Sequence, residues 1–90
     1  MKLPDTNAIS NIIFDKLKIK IDEMDNKELE EYFYANFDMY NNLQLFLDKL
    51  YEKNGINISF LCRVEADFLI SKKVIFYISE KLDNMEKINE

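Results

Sequence analysis

Between residues 26 and 55 the chain places its apolar side chains in a helical register. At ~100° per residue, Leu29, Tyr32, Phe33, Phe37, Met39, Tyr40, Leu43, Phe46, Leu47, Leu50 and Tyr51 fall within an arc slightly over half the circumference. Glu30, Glu31, Asp38, Asn41, Asn42, Asp48, Lys49, Glu52 and Lys53 take the other side. The pattern predicts one long amphipathic helix over about 27–53, with Asp25 or Asn26 as N-cap and Glu28 completing a capping box. Gly55, the only glycine, is expected as the left-handed residue that closes this helix, with Ile56 packing back. Asn36 lies inside the apolar arc and needs a hydrogen-bond partner if buried. An unbroken helix of this span is ~40 Å long, more than a compact chain of this size is broad, so it must bend, break or pack beyond its own chain. Asn41-Asn42 is its weakest point by propensity, yet the stripe keeps its phase there.

Upstream, Pro4, Asp5 and Thr6 form a helix start, and Ile9, Ile12, Ile13, Leu17, Ile21 and Met24 follow at helical spacing. Residues 16–22 (KLKIKID) also alternate in strict period two, which leaves helix and strand both open there. Downstream of Gly55, Ile56, Ile58, Phe60, Cys62 and Val64 alternate as in a strand, and VIFYIS over 74–79 has strand composition. A hairpin over 56–79 lacks a Gly, Pro or Asn to turn it. As a single helix, 59–83 is apolar all round. Split near Leu69-Ile70, it yields two amphipathic halves, one carrying Phe60, Leu61, Val64 and Phe68, the other Val74, Ile75, Ile78, Leu82 and Met85, with Ser59 and Ser71 as N-caps.

The expected fold is therefore a single all-α domain over 1–90: a first helix from about 6 to 20, the long central helix, and shorter flanking helices. A β-hairpin in 56–79 is the alternative, and residues 84–90 are expected to fray. Composition agrees, since 48% hydrophobic residues with seven Phe and five Tyr can fill a core, while one Gly and one Pro supply few tight turns. The lone cysteine, Cys62, cannot form an internal disulfide, the N-terminus lacks a signal-peptide pattern, and no apolar run approaches the ~20 residues of a membrane span. A cytoplasmic location without membrane association is expected.

Charge changes the picture more. The net charge of −5 resides in residues 22–31 (DEMDNKELEE), where six acids stand against one lysine; the rest of the chain balances acids with bases. An acidic chain without a basic block argues against non-specific nucleic-acid or membrane binding, and suits a basic protein surface. The chain has no histidine, so the commonest general base and metal ligand are missing. No glycine loop or nucleotide fingerprint is present. The expectation is a chain without enzymatic activity, cofactor or metal. Cys62 reads as a small buried side chain, and the aromatics of 32–51 read as core or dimer packing because acids, not Lys and Arg, surround them.

Leu43, Phe46, Leu47, Leu50 and Tyr51 on an apolar helix, Gly55, a cap at Ser59, Leu61 and Val64, then Ile70-Ser71-Lys72 ahead of Ile75 and Phe76 form one further series. Over 43–79 this series resembles the DNA-binding unit of TetR-type regulators, with Glu65, Leu69 and Ser79 departing from that family's small alanine, turn glycine and closing aromatic. The resemblance implies a helix-turn-helix in 59–82 whose Lys72 and Lys73 reach phosphates. Against it stands the expectation from charge: a small acidic protein-binding module, acting as an inhibitor, antitoxin or adaptor, that offers Asp22, Glu23, Asp25, Glu28, Glu30 and Glu31 to a basic surface, one that otherwise holds nucleic acid being a candidate. A homodimer through the apolar stripe of the central helix is the second expected association.

Overall fold

The protein is all-α. Its structure, a computed structural model, describes residues 5–53 and 55–89, with side chains through Asn84. Three helices follow in order: α1 (Thr6–Asp22), α2 (Asn26–Tyr51) and α3 (Ile58–Asn89). Each begins where a short polar side chain can satisfy orphan N–H groups. The Asp5 carboxylate accepts from the Asn7 and Ala8 amides at 3.1 and 3.2 Å. At α2 the expected capping box is complete: the Glu28 amide donates to Asp25 Oδ1 at 2.8 Å, and the Asp25 amide to Glu28 Oε1 at 3.4 Å.

Residues 16–22 continue α1. Period two would set Ile19 beside Leu17 and Ile21, but Ile19 faces solvent while Ile21 is buried, as a helical turn requires. α2 runs unbroken past Asn41-Asn42. Its Asn36 is buried and donates through Nδ2 to the Tyr32 carbonyl at 2.9 Å, which supplies the partner its place in the apolar arc demands. Gly55 has a φ of 79°, the left-handed conformation expected of it. It stands in the loop rather than directly at the helix end, which Glu52 caps with helical backbone. Ile56 packs against the cluster of Leu47, Leu50 and Val64.

Three expectations about the C-terminal part are corrected. There is no strand among the described residues, so the hairpin over 56–79 does not form. Nor do two short helices meet near Leu69-Ile70; α3 is one helix of 32 residues, longer than the 26-residue α2 and not a shorter flank. Asn57, not Ser59, caps it, accepting from the Phe60 amide at 3.2 Å, and Ser71 lies in mid-helix with its hydroxyl donating to the Asp67 carbonyl at 2.9 Å. The all-round apolarity that argued against one helix has a physical source: α3 is packed on two sides, and a helix so placed is apolar over most of its circumference. Glu90 and the side chains of 85–90, where fraying was expected, lie outside the described residues.

α3 is thus the spine. α2 lies antiparallel to it, with Leu29 against Val74 and Ile78 at one end and Leu47 and Leu50 against Val64 at the other. α1 lies parallel, with Phe14 edge-on to Tyr77 at 5.8 Å and Asp22 reaching Lys81. α1 and α2 pack on α3 rather than on each other, which produces a flat slab of 53 × 25 × 17 Å. Among the described residues, all three helices converge only around Ile21, Leu29, Val74 and Ile78.

The continuity of α3 yields a discriminating substitution. In a two-helix arrangement capped by Ser71, Lys72 would be the first helical residue, where proline is favoured. Inside α3, Lys72→Pro removes a backbone hydrogen bond and clashes with the preceding turn, costing about 3 kcal/mol or more. Urea denaturation should show that loss when Lys72→Pro is compared with Lys72→Ala, which removes the same charged side chain but keeps the backbone hydrogen bond.

Candidate functional site

The acidic segment forms the α1–α2 turn and the first turns of α2, and its six carboxylates divide into two groups. Three are engaged within the chain. Asp22 Oδ1 lies 2.7 Å from Lys81 Nζ and accepts from the Tyr77 hydroxyl at 2.6 Å. Asp25 and Glu28 complete the capping box. The other three, Glu23, Glu30 and Glu31, are exposed. Glu30 and Glu31 follow the buried Leu29, so helical geometry turns them away from α3. Among the described residues no three acidic or sulfur side chains converge as a metal-binding set, so the segment is a ridge of diverging charges rather than a chelating pocket.

The ridge has a rigid base. Lys81, hydrogen-bonded to Asp22, holds the carboxyl below its ordinary value of 3.8, and the Tyr77 hydroxyl acts in the same direction. The same bond raises Tyr77 above the ordinary 10.0. The Tyr77 ring is flanked by two ammonium groups, Lys81 Nζ at 5.4 Å and Lys18 Nζ at 5.6 Å from its centroid. A second tyrosine–carboxylate bond, Tyr51 to Glu65 at 2.6 Å, ties the far end of α2 to α3 and pushes Tyr51 up to about 12. Neither bond was legible in the sequence, because the partners stand far apart in it and no motif pairs them.

Lys72 and Lys73 do not share a face. Lys73 donates to Asn11 Oδ1 on α1, whereas Lys72 lines a groove of about 210 Å³ with Phe37 and Tyr40 of α2 and Ile75 and Phe76 of α3. Where the TetR-type resemblance places two helices and a turn, the chain forms one helix. Cys62, expected to be buried, is half-buried and lines a second groove of about 400 Å³ with Ile9, Ile13, Arg63, Ala66 and Asp67.

The apolar arc of α2 is wider than its contact with α3, and Phe37, Met39, Phe46 and Tyr51 remain exposed. Phe76 was missed as a surface residue in the sequence, where it sits among apolar neighbours; it is 60% exposed. The only available signal was its seven-residue spacing from Leu69, which returns to one helix face. Comparison with protein-family models, with curated proteins and with solved structures finds no match for this chain.

A pH dependence follows from the Asp22 geometry. Because its folded-state pKa is depressed, the stabilisation is complete above the ordinary value near 3.8 and is lost as pH falls through the depressed value. Tyr77 acts at the opposite end: its raised pKa keeps the donor proton in place below pH 10.0, and the bond is lost as pH climbs through the raised value. Denaturant unfolding at a series of pH values should therefore show an acid limb that is shallower in Asp22→Asn, and an alkaline limb that is shallower in Tyr77→Phe.

Proposed function

We propose that this chain is a protein-binding module without catalytic activity, an inhibitor, antitoxin or adaptor, whose α1–α2 turn presents Glu23, Glu30 and Glu31 to a basic surface on a partner protein. The observation that carries this reading is the division among the six acids. Asp22, Asp25 and Glu28 lock the turn and the start of α2 in place, so the remaining three charges are held on fixed backbone rather than on a loose tail. Preorganised charge steers encounter with an oppositely charged surface and lowers the ordering cost of binding. The excess negative charge of the whole chain lies in this one segment, which gives the field a direction. DNA binding through Lys72 and Lys73 is the weaker reading, since the two ammonium groups diverge and phosphate contacts require clustered cations.

The test replaces Glu23, Glu30 and Glu31 by lysine and leaves the three structural acids intact. A second triple variant, Asp38→Lys, Asp48→Lys and Glu52→Lys, makes the same change of net charge farther along α2 and at its C-cap. Capture of partners from the native cell extract should be lost with the first variant, retained with the second, and weakened for the wild type at high salt, where exposed charges are screened. Equal capture by both variants would sink the proposal.

A further inference from the structure

Along α3 the residues Ile58, Cys62, Glu65, Leu69, Lys72 and Phe76 recur at alternating spacings of four and three, the repeat of a helix seam that packs on another helix. None of them is fully buried, and Ile58 and Phe76 are 54% and 60% exposed. The stripe runs between the two packed flanks. Val64 and Phe68 beside it face α2, Lys73 and Tyr77 face α1, and Phe76 lines a groove on each side. We propose that this seam is the interface of a two-fold homodimer in which two α3 helices pack antiparallel, with the axis at Phe68-Leu69.

The chain exposes surface enough for a second copy. The chain exposes 6868 Å². A compact protein of its mass, 10.8 kDa, exposes about 5,500 Å², so the surplus is about 1,300 Å². A standard stable interface covers about 800 Å² per partner, which is less than the surplus of the chain as a whole. The radius of gyration agrees, at 15.4 Å against about 12 Å for a compact chain of this length.

Charge fixes the direction. Glu65 and Lys72 are equidistant from the axis on the same stripe, so antiparallel packing sets each Glu65 against Lys72 of the second copy, twice per dimer. On the flanks, Asp48 borders the groove at the Glu65 end, and two cations, Lys18 and Lys73, with one acid, Glu80, border it at the Phe76 end. Parallel packing would oppose like charges instead. Phe76 of one copy then lands beside Cys62 of the other, at the apolar groove that Ile9 and Ile13 line. The acidic turns stay outside the interface, at opposite ends of the dimer, and the inference stands independently of what those turns bind.

Sedimentation equilibrium of the full chain tests this. The wild type should run at twice the chain mass at roughly 100 μM, with a concentration-dependent transition to monomer on dilution. Lys72→Glu sets Glu against Glu65 of the second copy and should weaken the dimer at least about tenfold, since the reversed pair occurs twice. The double variant Glu65→Lys with Lys72→Glu restores opposite charges and should recover the dimer; because Glu65 also accepts from the Tyr51 hydroxyl within the chain, Tyr51→Phe serves as the control for loss of that bond and should leave the dimer intact. In a Cys62→Ser background, Leu69→Cys on the axis should cross-link to its own counterpart under mild oxidation, and Tyr34→Cys, on the outer side of α2, should not. Circular dichroism establishes that each variant keeps its helix content. A monomeric wild type at this concentration, or a dimer that Lys72→Glu leaves unchanged, overturns the proposal.

Discussion

Two helices, α1 and α2, are held by a third, α3, and the rest of the structure depends on that arrangement. Val74 and Ile78 of α3 have no exposed surface, and they meet Ile21 of α1 and Leu29 of α2 in the single place where all three helices contribute to a core. Away from it α1 and α2 do not support one another. The core is therefore a line along α3 rather than a sphere, and the slab is 17 Å through its thinnest dimension. Such a geometry covers the two flanks of α3 and leaves its third side open.

Polar bonds border the apolar core at both ends of α2. At the turn, Asp22 binds both Tyr77 and Lys81; at the other end of α2, Tyr51 binds Glu65. Each joins a helix end to α3 at the solvent edge of a buried cluster. A tyrosine hydroxyl shared with a carboxylate is a charge-assisted bond, stronger than a neutral one, and its direction fixes how the helix end is rotated. The same economy governs the acidic segment. Half of its carboxylates are structural, and this removes them from the set that a partner could meet.

The helical register of 26–51, the capping box at Asp25, the positive φ of Gly55 and the need of Asn36 for a partner were legible in the sequence, because each follows from local spacing or from the chemistry of one residue. The break expected near Leu69 was not a feature of the chain. An amphipathic pattern reports one packed side, and a helix packed on two sides has no simple stripe. Splitting 59–83 into halves took two stretches of one helix for two helices, the first packed on α2 around Val64 and the second in the core shared by all three helices around Val74 and Ile78. Ser71 misled for a related reason, since a serine can cap a helix or return its hydroxyl to the preceding turn, and only the path of the backbone decides.

What the sequence determined by itself is the all-α class, the length and start of the central helix and the concentration of net charge in one ten-residue segment, because helix periodicity, caps and composition are properties of neighbouring residues. The tertiary structure decided which of those acids are free, which lysines diverge and which aromatics stay uncovered. Each of these depends on where α1 and α2 lie against α3, and that placement comes from contacts such as Asp22 with Tyr77, 55 positions apart, which no local pattern encodes.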